Sequence, residues 1–385
     1  MDVSMIPLDY ATLRVIWWLL LGVLLIGFAV MDGFDLGVAA LLPVVAKTDE
    51  ERRVMLNLVG PVWEGNQVWL ITGGGAIFAA WPLLYAASFS GLYLAMLLLL
   101  VALILRPVGF KYRSKLPDAR WRSTWDWLLC GSGVVASLVF GVAMGNLLLG
   151  LPFGVEPATL RPVYEGNLFQ LFMPFALLAG VLSVTMLAAH GAALLAWRTD
   201  GDIAMRARRF GGWLALATGA LFALGGVWVA LGLDGHVVTG TVDVAAASNP
   251  ALKTVEAVEG AWMHNFSRWP WMWLAPVLGV AGSLLAALLL WRGARVSAFL
   301  ATSTAITGVI LTVGFALFPF LMPSSLQPGM GLTVWDASSS HFTLWVMLLA
   351  TVVFLPIVLF YTGYVYRVMR GTVTPESVSE NPNAY

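Results

Sequence analysis

Apolar runs long enough to cross a lipid bilayer recur along almost the whole chain, and that repetition limits it to one kind of fold. A helix needs about 20 apolar residues to traverse a ~30 Å hydrocarbon core. Only helices and closed barrels satisfy every backbone polar group there. Nine such runs are read at roughly 12–42, 54–81, 84–106, 125–149, 168–191, 211–233, 269–291, 297–320 and 342–366. Hydrophobic residues make up 59% of the chain and charged ones 11%, against about 25% charged in soluble domains. An all-α polytopic membrane protein with nine transmembrane helices is therefore expected. The first run is too long for a cleavable signal peptide, and no small-residue cleavage site follows it. Net charge is zero, which argues against a nucleic-acid partner. The one cysteine, Cys130, leaves no intramolecular disulfide or multi-cysteine metal site and reads as inert packing.

Lys and Arg set the expected orientation, because they accumulate on the cytoplasmic side. The linkers 43–53, 106–124, 192–210 and 292–296, with the tail, hold seventeen of them; the opposite side holds Arg14, Arg161, Lys253 and Arg268. The N-terminus is thus expected outside and the C-terminus inside. The 234–268 loop is the longest on the outer side and reads as a small cap. The polar tail after Gly371 is expected to be loosely held.

Chemistry concentrates in Pro61-Val62-Trp63-Glu64-Gly65-Asn66-Gln67-Val68-Trp69, inside the second run. An acid at membrane depth costs at least about 2.5 kcal/mol on insertion scales and normally faces protein or water. If one helix enters near Arg53, Glu64 lies roughly 16 Å in, close to the midplane. Gln67, Ile71 and Gly74 share its face, while Asn66, Trp69 and Gly73 line another. Pro61 frees the Asn57 carbonyl one turn earlier. Glu64 reads as a protonatable relay or a quinone contact, or else as a protonated acid that fixes packing. Asp32 and Asp35 share one face of the first helix, where they could feed protons inward or pair with Arg or Lys. Arg106, Lys111 and Arg113 read as an anchor at the inner surface. Asp126 reads as an acid opening the fourth span, against the helix dipole. His190, His236, His264 and His341 form no pair at matched membrane depth, so no haem or metal ligand set is expected from this chain alone. No phosphate loop, zinc motif or nucleophile elbow is present.

Several blocks in order resemble subunit II of cytochrome bd-type quinol oxidases. They are Gly27–Gly37 with Met31-Asp32-Gly33-Phe34-Asp35, the Trp63–Trp69 block, Arg106-Pro107-Val108-Gly109-Phe110, Gly141–Asn146, Phe318–Ser325 and Leu332–Ala337. The resemblance implies two four-helix bundles, over 1–150 and 151–320, then an outer loop, a peripheral helix and a cytoplasmic tail over 321–385. It implies a bacterial inner-membrane complex that oxidises quinol and reduces dioxygen to water, with protons taken from the cytoplasm. Haems b and d would sit in a partner, subunit I, and a small single-helix subunit would join them. A bound ubiquinone or menaquinone would be structural, and none of these groups would be ligated here. Glu64, with Asp32, Asp35 and Gln67, would then belong to a proton route. Trp69, with Trp63 and Asn66, would lie on an oxygen route or against quinone. Two other classes, a secondary transporter and a structural scaffold, remain as alternatives. No matched pair of interrupted helices marks the two halves as transporter repeats.

Overall fold

The structure, a computed structural model, describes residues 6–380. Its α-helices are α1 (Tyr10–Val45), α2 (Asp49–Val59), α3 (Trp63–Ala80), α4 (Pro82–Gly91), α5 (Tyr93–Tyr112), α6 (Ala119–Leu149), α7 (Pro174–Arg198), α8 (Gly201–Gly232), α9 (His264–Arg268), α10 (Leu274–Arg292), α11 (Arg295–Leu317), α12 (His341–Val368) and α13 (Pro375–Ser379). Three antiparallel hairpins sit in the connections: β1 (Phe153–Glu156) with β2 (Arg161–Tyr164), β3 (Asp234–Val238) with β4 (Val255–Glu259), and β5 (Phe320–Met322) with β6 (Leu332–Thr333). Among the described residues eight helices are long and apolar enough to cross a membrane: α1, α5, α6, α7, α8, α10, α11 and α12.

The second run departs from expectation. It is two helices, α2 and α3, separated by Gly60-Pro61-Val62. Pro61 has no N–H to give the Asn57 carbonyl, and Gly60 adds its own helix cost. The chain turns there and restarts, with the Asn66 amide donating to the Val62 carbonyl at 3.0 Å. α3 has 18 residues, a length of about 27 Å, but Glu64, Asn66 and Gln67 make it too polar to join the eight. It runs antiparallel to α1. Asn66 at its start meets Asp35, Trp69 lies over Gly27, and the carbonyl of Ala80 at its end accepts from Ser339, beside Tyr10. The third run is likewise split, into α4 and α5 at Leu92. The fourth helix starts at Ala119, where Asp118 accepts from the amides of Arg120 and Trp121. Asp126 therefore does not open the helix; it is buried two turns in.

α1, α6 and α7 pack around one another, and α7, α8, α10 and α11 continue the assembly. Small residues make the closest crossings. A Cβ on Gly37 would lie 2.0 Å from the Leu187 carbonyl oxygen, and one on Gly191 would lie 2.5 Å from the carbonyl carbon of Gly37. The α1 and α7 backbones therefore touch there, as small-residue crossings in membranes allow.

On the face that carries Tyr10, buried Arg14 fastens the 234–268 segment. Its guanidinium donates to Ser338 Oγ at 2.7 Å, to the carbonyls of Val244 and Ala246, and to Ser248 Oγ, with the Tyr10 ring 3.6 Å away. Lys253 pairs with Asp336 at 2.9 Å. Burial still holds that ammonium below its usual range, against the opposing pull of Asp336. On the opposite face, Arg113 Nε lies 2.5 Å from Asp126 and its Nη2 2.8 Å from Asp49. Arg52 joins Asp126, Arg122 joins Asp49, and Arg206 joins Glu51, so α2, the end of α5, α6 and α8 are clipped together. The described part of the tail is not loose. Arg198 donates to the carbonyls of Gly371 and Met369, the Val373 amide donates to Arg198, and Val378 is buried.

Candidate functional site

α1 is buried on several sides over Asp32–Leu42, so its two acids cannot reach water and must find partners inside. The i, i+3 spacing points both at α5. Arg106 Nη2 lies 2.7 Å from Asp32 Oδ1 and its Nη1 3.2 Å from Oδ2, a two-pronged contact that guanidinium geometry favours. Asp35 Oδ2 is 3.8 Å from Arg106 Nη2. All three side chains are 0% exposed. A buried charge is tolerated only when paired, and here two carboxylates share one guanidinium. Pro107 follows Arg106 within α5. The Trp63 ring centroid lies 5.6 Å from the guanidinium carbon.

α3 and α12 complete the cluster. Asn66 Nδ2 donates to Asp35 Oδ2 at 2.8 Å, and Tyr366 Oη donates to Asn66 Oδ1 at 2.7 Å. Asp35 Oδ1 and Arg106 Nε are buried without a partner among the described residues. The arrangement is thus a dense polar core with unused capacity to bind a proton or a water molecule.

The expected residues divide between two places. Asp32, Asp35, Asn66, Trp63 and Arg106 come together in this cluster. Glu64 does not join it. Glu64 lies in the first turn of α3, level with that end of the cluster rather than at mid-depth, because the helix restarts at Trp63. It is exposed, and neither it nor Gln67 has a hydrogen-bond or ion-pair partner among the described residues. With Gly65, Val68, Ile71, Thr72, Gly75 and Phe78 it forms one exposed stripe along α3. Trp69 is half-buried. It lies beside a slot of about 460 Å³ bounded by Trp17, Leu20 and Leu24 of α1, Gly65, Thr72 and Gly75 of α3, and Met347, Phe354 and Val358 of α12. α12 closes the slot only at its ends, where Trp17 Nε1 donates to the Leu344 carbonyl at 3.0 Å and Tyr366 reaches Asn66.

Of the three residues read as a surface anchor, Lys111 is exposed. Arg106 and Arg113 are 0% exposed and ion-paired. Their carboxylate partners on α1, α2 and α6 draw them inward, which the density of basic residues in 106–124 hides. Nothing in the sequence singles out Tyr366, one of the three tyrosines Tyr361, Tyr364 and Tyr366, whose spacing does not separate them. His190 is buried. Its Nε2 donates to the Val30 carbonyl at 2.9 Å and its Nδ1 lies 2.7 Å from Thr302 Oγ1, so neither nitrogen is available to iron. His341 Nε2 donates to the Leu8 carbonyl, His236 packs against Trp262 and Phe320 in the cap, and His264 is exposed. No group of three or more metal-binding side chains occurs among the described residues.

Fold and site together define a multi-pass membrane protein of long apolar helices, with a charged cluster buried between them and a polar helix face left open. Residues 13–369 match the family described as cytochrome bd terminal oxidase subunit II, and the chain belongs to that family. It is 51% identical to cytochrome bd-I ubiquinol oxidase subunit 2 of Escherichia coli over 98% of this chain and 99% of that protein. It is 48% identical to the probable cytochrome oxidase subunit 2 of Haemophilus influenzae, over the same shares. With cytochrome bd ubiquinol oxidase subunit 2 of Bacillus subtilis the identity is 31%, over 94% of this chain and 98% of that protein. The fold is similar to a chain in the structure of bd oxidase from Geobacillus thermodenitrificans, with a TM-score of 0.67 and 18% identity, covering 93% of this chain and 98% of that one. The protein is a subunit of a terminal quinol oxidase in a bacterial inner membrane.

Proposed function

We propose that this chain is the haem-free subunit of the oxidase and supplies its haem-bearing partner, subunit I, with a docking face and a proton route from the cytoplasm. The observation that carries the reading is the α3 stripe. It is the one helix of bilayer length, among those described, whose exposed side mixes an acid, glycines and a threonine with apolar residues. Facing lipid, this mixed face would have nothing to pack against or pair with; facing a partner helix, the small residues allow close approach and the acid finds a donor or water. α3 counts as a ninth crossing in this reading, because it runs alongside α1 from Asp35 to Tyr10. The Tyr10 face is then outside and the basic face with Arg52, Arg113 and Arg206 inside, in keeping with the positive-inside rule.

Haems b and d belong to subunit I, where they supply the electron transfer to dioxygen; a small single-helix subunit adds to the complex. The slot beside Trp69 suits the hydrocarbon chain of a ubiquinone or menaquinone. A helix about 10 Å across is too wide for it and packs over the open side instead. Glu64 stands at the inner rim of α3 and exchanges protons with the cytoplasm, with Gln67 one turn further along. Asp32 and Asp35, held by Arg106 and Asn66, form a second protonatable group on the same side. The two split runs among the described residues, α2/α3 and α4/α5, adjoin in one half of the chain and are not the matched pair that transporter repeats would give the alternative class.

Glu64→Gln tests the route. It keeps shape and loses titration, so quinol-driven oxygen consumption and proton uptake in liposomes should fall while the haem spectrum stays intact. Glu64→Asp should be much milder. Normal turnover and proton uptake in Glu64→Gln would remove Glu64 from the route and leave it as packing.

A further inference from the structure

Asp35 takes a single hydrogen bond from a side chain, and that side chain is an amide. A carboxylate oxygen accepts, so Asn66 must present its NH₂ end for the 2.8 Å contact to be favourable. An amide turned by half a rotation would set its carbonyl oxygen against Asp35 Oδ2 instead, with nearly the same shape. With the NH₂ end on the acid the carbonyl oxygen faces away, and a hydrogen-bond donor on that far side strengthens and holds this orientation. That group is the Tyr366 phenol, 2.7 Å from Asn66 Oδ1. Its ring is held edge-on against Phe34 at 6.5 Å and 89°, so the hydroxyl reaches Asn66 from a fixed direction. Phe34 is the residue before Asp35, which ties both contacts to one turn of α1.

We propose that Tyr366 is a positioning residue: it holds the Asn66 amide with its NH₂ toward Asp35, so that the inner end of α12 sets the hydrogen bonding of the buried Asp32–Asp35–Arg106 cluster. Asp35 depends on that one donor, because Arg106 is committed two-pronged to Asp32 and stands 3.8 Å from Asp35. Oδ1 has no partner to compensate among the described residues. The charged and titratable groups around Asp35 are Asp32 on its own helix, Arg106 from α5 and Tyr366 from α12. From α7, Arg198 acts on Tyr366, and His190, which touches Phe34, is held by Val30 and Thr302. None of these gives Asp35 the hydrogen bond that Asn66 gives. α12 is otherwise the least embedded of the long helices, with Leu344 its only buried residue. A shift of its inner end would thus reach the carboxylates through this contact.

The effect on turnover rests on the proposed proton route; the effect on the carboxyl group does not. The test is an infrared pH-difference spectrum of the purified oxidase complex, with the Asp35 carboxyl band identified by its loss in Asp35→Asn. Tyr366→Phe keeps the ring on Phe34 and removes the hydroxyl. It should move the Asp35 band and displace the pH profile of turnover by about half a unit or more. Asn66→Ala should move both in the same sense, and Tyr366→Phe should add nothing in that background, as expected for two residues acting through one contact. Should Tyr366→Phe fail to assemble, 3-fluorotyrosine at position 366 keeps the shape and strengthens the donor, and should move the band the opposite way. An unmoved Asp35 band in both variants, or full additivity with Asn66→Ala, would overturn the proposal. A moved band with unaltered turnover in Asp35→Asn would uphold the positioning role and remove Asp35 from the proton route.

Discussion

Among the described residues Arg106 is the only cation shared by two buried carboxylates, so the cluster should respond very unequally to loss of its members. Arg106→Met leaves Asp32 and Asp35 at 0% exposure with no counter-ion. Breaking a buried pair from one side costs about 3–5 kcal/mol. Asp32→Asn is milder, because Asp35 Oδ2 already stands 3.8 Å from Arg106 Nη2 and closes on it as the remaining anion. The loss is then that of a charge-assisted hydrogen bond, about 1.5–3 kcal/mol. The gap of about 2 kcal/mol corresponds to roughly a thirtyfold difference in the folded-to-unfolded ratio. Arg106→Met combined with Asp32→Asn and Asp35→Asn should regain most of the loss, since no charge is left buried. Denaturant titration of the detergent-solubilised complex, followed by tryptophan fluorescence and haem retention, measures all three. Equal midpoints for Arg106→Met and Asp32→Asn, or a triple variant as unstable as Arg106→Met, would refute the shared-guanidinium account.

Gly37→Ala would set a methyl 2.0 Å from the Leu187 carbonyl oxygen, and neither backbone can yield without parting α1 from α7. A loss of about 1–3 kcal/mol or more is expected, read as reduced yield and melting temperature of the complex, whereas Gly226→Ala, whose Cβ meets nothing within 4 Å, should be neutral. In the cap, burial holds the His236 imidazole below its ordinary 6.5, with Asp234 opposing. The unfolded chain therefore gains a proton near that pH before the folded one does. The contribution to stability is full above about pH 6.5 and falls as the pH drops below it. Melting at about pH 5 should be lower than at about pH 7.5, and His236→Asn should remove this part of the difference.

Much of the architecture was legible because hydropathy acts locally: α1, α6, α7, α8, α10, α11 and α12 all lie where apolar runs predict a helix. The second run misled because its apolar character continues across Gly60-Pro61-Val62, and the backbone breaks where hydropathy does not. That break also moved Glu64 from mid-depth to the first turn of α3. Asp32 and Asp35 could be paired on one face by spacing alone. Their partner could not be found, because Arg106 is 74 residues from Asp32 and sits among five other basic residues in its linker. Arg113 and Asp126 were misjudged for the same reason: counts of charge near helix ends do not reveal which charges face each other. Tyr366 and Arg14 act through contacts more than 200 residues away in sequence, where no periodicity carries information.

The central claim is that the exposed stripe of α3 is covered by subunit I, and site-specific photo-cross-linking in native membranes tests it directly. A benzophenone amino acid at Ile71, 67% exposed on that stripe, is compared with one at Leu224, 54% exposed on α8. The account predicts a covalent heterodimer with the haem-bearing subunit from position 71 and adducts with lipid alone from position 224. Lipid adducts alone from position 71, with the heterodimer formed from position 224, would contradict it.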